Sequence, residues 1–188
     1  MAQSKVEKTA RLLAGGVSGL VVHESGHVGT GIVFGAHPGT KPIKYAGIPF
    51  FAVTHEPVTR RREFVISSAG FWMQHAGSEW LLTARPHLKD ESSPYLKGVL
   101  AFNIATSVMY AGAAVGKLGP PERDTLGMAT SLGKGGWHEP AVGALILAPA
   151  VLDGYRYLRP DQKWAAWASR GMKVVFVGLT LFAGRPRA

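Results

Sequence analysis

Apolar positions along this 188-residue chain gather into five stretches separated by polar, basic segments. The first, 12–34, is interrupted only by His23-Glu24-Ser25-Gly26-His27, and the second, 64–84, carries His75 and Glu79. The third, 98–116, is uncharged; the fourth, 141–158, is broken by Asp153 and Arg156; the fifth, 171–184, is short and contains Lys173. Stretches near twenty residues are long enough to cross a bilayer as helices, whereas the fifth equally fits a re-entrant or interfacial helix. Between the first two, 41–54 alternates β-branched and aromatic residues with Gly and Pro and has no helical period, which predicts a small β hairpin. The expected fold is therefore mainly α, a polytopic membrane helical bundle of four to five apolar segments with that hairpin between its first two helices. It is read as one integral membrane domain over 1–188.

Composition supports this class. Hydrophobic residues make up 46% and charged residues 18%, with 24 Gly and 12 Pro. A mean hydropathy of +0.08 is low for a membrane protein, so either the loops are long and polar or some apolar stretches are buried in protein. The net charge of +9 is spread over every polar segment, the distribution of loops facing anionic head groups, and no nucleic-acid partner is expected. Arg60-Arg61-Arg62 is read as an interfacial anchor. Lys and Arg divide almost evenly between the two sides, so orientation stays open. A cleaved signal peptide is not expected: its apolar core would have to contain His, Glu and His, and Phe34 stands where a small residue is needed.

His23-Glu24-Ser25-Gly26-His27 is an HExxH. On a helix it sets two imidazoles one turn apart on one face, as a single Zn²⁺ requires, with the carboxylate of Glu24 turned toward a metal-bound water as general base. The chain has no cysteine, so the remaining ligands must come from His, carboxylate or water. A catalytic zinc wants a third protein ligand, for which Asp153 is the first candidate, with Asp124 and Glu139 in the polar loop as fallbacks and Glu56 and Glu63 behind them. Asp153 could instead pair with Arg156 or Arg159. Gln74 is a polar amide in apolar surroundings, a candidate for hydrogen-bonding a substrate backbone or a neighbouring helix. His75 and Glu79 are spaced for a mutual hydrogen bond. The 41–54 segment could hold an extended substrate by strand addition, with Ile48 and Phe50 as candidate contacts; an ordinary ordered loop is the other reading. Glycines at 15, 16 and 19 would let another helix approach the metal helix closely.

The ordered set, HExGH at His23 to His27, then Ala69-Gly70 with Gln74, then Leu152-Asp153-Gly154, resembles the site-2 protease family of intramembrane zinc metalloproteases. The resemblance spans roughly residues 12–159. It implies an intramembrane zinc endopeptidase with His23, His27 and Asp153 holding Zn²⁺, Glu24 as general base and then acid, and Gln74 helping to stabilise the oxyanion. The substrate would be a membrane-embedded or membrane-proximal protein or peptide, and the chain would be a multi-pass protein of the lipid bilayer. The family typically has Pro and Asn where Phe71 and Gln74 stand, and Asn where Leu145 stands; Pro149 falls one residue nearer the Asp. There is no room for a PDZ-like module, so the chain would be a minimal or divergent member. Two alternatives stay open: a degenerate, non-catalytic membrane protein that binds or stabilises a partner helix, and a di-iron oxidase, for which the histidines are too scattered. Oligomeric state is not legible.

Overall fold

The structure, a computed structural model, describes residues 4–45 and 48–183. It is mainly helical, as expected, with six helices and one hairpin in the order α1 (Lys5–Val33), β1 (Gly39–Tyr45), β2 (Ile48–Thr54), α2 (Arg60–Ala84), α3 (Pro94–Gly116), α4 (Asp124–Leu132), α5 (His138–Leu158) and α6 (Lys163–Phe182). Most helices start several residues before the apolar stretch that signals them, because polar residues make the caps. Ser4 caps α1 by accepting from the Glu7 amide at 3.1 Å, and Thr59 caps α2 through the Arg62 amide. The weak fifth stretch belongs to a helix that begins eight residues earlier, at Lys163. Helix α4 lies in what reads from sequence as polar loop.

Helix α1 is inside out by the standards of a soluble helix. It buries Gly15, Gly19, His23, Gly26, His27 and Gly31, while Leu13, Val17, Val21, Ile32 and Val33 are all more than 60% exposed. The small face allows backbone contact. A Cβ at Gly15 would lie 2.0 Å from the Tyr95 carbonyl oxygen, and one at Gly98 would lie 2.0 Å from that of Leu12, so α1 and α3 cross with almost nothing between them. Gly19 faces Phe102, further along both helices, so the two run parallel. Helix α2 runs antiparallel to α1, with Gly26 against the Ala69 carbonyl, and Asn103 of α3 donates to the Gln74 carbonyl and to Ser78. Phe64 and Phe71 of α2, Met128 of α4, Val142 and Ile146 of α5 and Phe176 of α6 form the largest apolar core.

Helices α3 and α5 are long and apolar enough to cross a membrane. The hairpin is antiparallel, with Gly39 opposite Thr54 and Ile43 opposite Phe50, and its base is closed by the Glu56 amide donating to the Ala36 carbonyl. It stands between α1 and α2, as predicted.

Candidate metal centre

Residues His23 and His27 come from successive turns of α1 and point into the bundle, both under 5% exposed. Their Nε2 atoms are 3.1 Å apart. Across from them, Oδ2 of Asp124 lies 3.3 Å from Nε2 of His23 and 3.4 Å from Nε2 of His27. A tetrahedral ion with ligand bonds near 2.0–2.1 Å has ligand atoms about 3.3 Å from one another. Three donor atoms of suitable chemistry therefore already sit near three corners of a zinc-sized tetrahedron. Among the described residues, these three form the group of His and acidic side chains that could hold an ion.

Two of the three donors are held from behind, while Nδ1 of buried His23 has no hydrogen-bond partner among the described residues. Nδ1–H of His27 donates to the Ile66 carbonyl at 2.7 Å, which turns Nε2 toward His23 and Asp124 as the nitrogen a metal would take. Gly70 makes the room: a Cβ there would fall 2.5–2.6 Å from both Nε2 atoms. Asp124 is the first residue of α4, where the helix dipole favours a carboxylate. Its neighbours on both sides are tied to Glu139 of α5, Arg123 by a bidentate pair at 2.6 and 3.0 Å and Thr125 by its hydroxyl at 3.2 Å. Gly127 lets α4 press onto Ser67 and Glu63 of α2. Burial works to raise the Asp124 carboxyl, but the charge on His27 and hydrogen bonds from both imidazoles outweigh it and hold the group well below the usual carboxylate range.

No family model, curated protein or solved structure matches this chain. The geometry of its own residues is accordingly what assigns each predicted side chain a place.

Asp153 is not at this centre. It is 1% exposed, and its Oδ1 accepts from Ser169 at 2.6 Å, Lys173 at 2.8 Å and Arg156 at 3.2 Å. Arg156 and Lys173 also bond Glu79, so Asp153 sits at the level of Glu79 on α2, whereas the imidazoles sit at the level of Gly70. Nine helical residues separate those levels, roughly 13 Å along the axis. The pairing of Asp153 with Arg156, the other sequence reading, is what forms. Glu79 meets cations from α5 and α6, while the His75 ring packs edge-on to Phe176, so the expected His75–Glu79 bond is replaced.

Of the other carboxylates, Glu139 is the positioning partner of Arg123 and Thr125, Glu56 pairs with His37, and Glu63 accepts from Ser67. Glu24, between the two imidazoles on α1, is half-buried and lies within the electrostatic reach of His23, His27 and Asp124. Gln74 is 1% exposed with neither amide atom hydrogen-bonded. A cavity of about 210 Å³ opens from His27 and Asp124 toward Val53, Thr54 and His55. It meets β2 at its far end, past Phe50, which stacks on Phe51; the side chain of Ile48 lies outside the described residues.

In the sequence Asp124 stands with Glu139 behind Asp153, because 117–137 reads as loop. The available signal was an acidic residue opening a short segment with Leu126, Met128 and Ala129 on it.

Proposed function

We propose that this protein is an intramembrane zinc metalloprotease in which His23, His27 and Asp124 hold the metal. The observation that carries the reading is the set of 3.1–3.4 Å separations among two Nε2 atoms and one carboxylate oxygen, with the HExxH glutamate beside them. Zinc bound there would lower the pKa of a water toward neutrality and polarise a peptide carbonyl. Glu24 would take a proton from the attacking water and later deliver it to the leaving amine. His27 keeps its metal-facing tautomer through Ile66, and Asp124 keeps its position through the Glu139 clamp. The unbonded amide of Gln74, one helical turn beyond Gly70, supports a role in hydrogen-bonding substrate or oxyanion.

The exposed aliphatic face of α1, and the similar face of α6 at Val174, Val175, Val177 and Phe182, support a multi-pass arrangement in which these helices join α3 and α5 in lipid. The substrate would be a membrane-embedded or membrane-proximal segment, unwound locally because a helical peptide bond is shielded from attack. It would lie along the free edge of β2 and enter the cavity at Val53 and Thr54.

The test is metal content of detergent-purified protein, followed by cleavage of a transmembrane reporter peptide by wild type and Glu24→Gln. About one zinc per chain and a loss of 10²–10⁴-fold in rate with zinc retained would support the reading. Zinc without Glu24-dependent cleavage would favour a non-catalytic membrane protein, and no zinc in folded protein would sink the proposal.

A further inference from the structure

At the opposite end of α2 from the metal centre, where α5 ends and α6 begins, lies a second cavity of about 320 Å³. Arg156, Arg170, Lys163, Gln162, Thr83 and Trp167 line its polar part, and no carboxylate belongs to its wall. We propose that it binds the phosphate of an anionic lipid headgroup.

Arg156 is 6% exposed and locked by a bidentate pair with Glu79 at 2.5 and 3.1 Å, so its guanidinium is pre-set. Arg170 is fixed by Glu79 and Thr83. Glu79 and Asp153 are shared among Arg156, Arg170 and Lys173, which offer more N–H donors than two carboxylates can accept. Lys163 makes no ion pair among the described residues. Positive charge is thus in surplus where a phosphate oxygen could accept hydrogen bonds from two guanidinium groups and an ammonium.

The surroundings select a lipid over a free anion. Trp164 and Trp167 on the first turns of α6 are 56% and 72% exposed, and the Arg170 guanidinium lies 5.7 Å from the Trp167 ring centre. Exposed indoles beside cations, at the end of a helix long enough to cross a membrane, are the marks of the headgroup level. A dissolved phosphate has no use for those rings. A lipid packs its glycerol and upper acyl chain against them. The assignment rests on the membrane reading of α5 proposed above and not on the protease chemistry.

Native mass spectrometry of the full chain, released from micelles holding equimolar phosphatidylglycerol and phosphatidylcholine, tests it. Wild type should retain one phosphatidylglycerol in preference to phosphatidylcholine. Lys163→Gln should reduce that preference about five-fold, and Lys163→Gln with Arg170→Gln further, by about the same factor again. Lys163→Gln leaves the Glu79 cluster intact, so the test survives if the double variant fails to fold. Millimolar inorganic phosphate should leave the lipid bound. Equal retention of both lipids, or a preference unchanged in Lys163→Gln, overturns the proposal; displacement by inorganic phosphate overturns the lipid assignment in favour of a free-anion site.

Discussion

Gly70 of α2 and His27 of α1 occupy adjoining space so tightly that a single Cβ added at Gly70 would sit 2.5 Å from the imidazole Nε2. The Ala-Gly pair and the HExGH motif are two sides of one helix contact, since Gly26 faces the Ala69 carbonyl in the same crossing. Gly70→Ala should displace both imidazoles from the 3.1–3.4 Å arrangement or push α2 away from α1. We expect zinc affinity to fall at least ten-fold by chelator competition and stability to drop by about 1–3 kcal/mol. Unchanged zinc affinity would mean that the imidazoles do not ligate in this geometry.

Two aspartates separate the two accounts of the third ligand. Asp124→Ala should lose zinc, whereas Asp153→Ala should keep it. Asp153→Ala should instead destabilise the fold by about 3–5 kcal/mol, because Lys173 and Arg156 lose a buried counter-ion. Zinc content beside thermal unfolding of both variants decides the matter, and zinc lost on Asp153→Ala alone would return that residue to the centre.

Glu139→Gln removes the charge that orders Arg123 and Thr125, the residues flanking Asp124. Since Glu139 itself stays off the metal, the variant should still bind zinc, about ten-fold or more weakly. A wild-type dissociation constant in Glu139→Gln would leave the clamp a purely structural one.

Zinc binding should weaken as the pH falls. Protons compete with the metal for imidazole nitrogen, so release of the ion is coupled to proton uptake by the vacated site and the apparent affinity drops as the pH falls. The Asp124 carboxyl, held low by its neighbours, contributes little to that slope. Competition titrations between pH 5 and 8 measure it; a flat profile would exclude histidine ligation.

The HExxH helix, the hairpin after it, the mainly helical class and the placing of two imidazoles on one face were legible because each rests on local information. Helix period places His23 and His27 on one face whatever surrounds them, and alternation with Gly and Pro marks the strands. The third ligand depends on which distant segment meets that face. By motif, Asp153 is the better candidate, yet α5 delivers it to the level of Glu79, where cations from α5 and α6 claim it. By composition, 117–137 is loop, yet Met128 buried in the core with Phe64 and the Glu139 clamp make a nine-residue helix of part of it and set its first carboxylate against the imidazoles. Local pattern set two imidazoles on one face of α1. Only packing between helices, governed by glycine contacts and by where buried charges find partners, decided which carboxylate meets the two imidazoles.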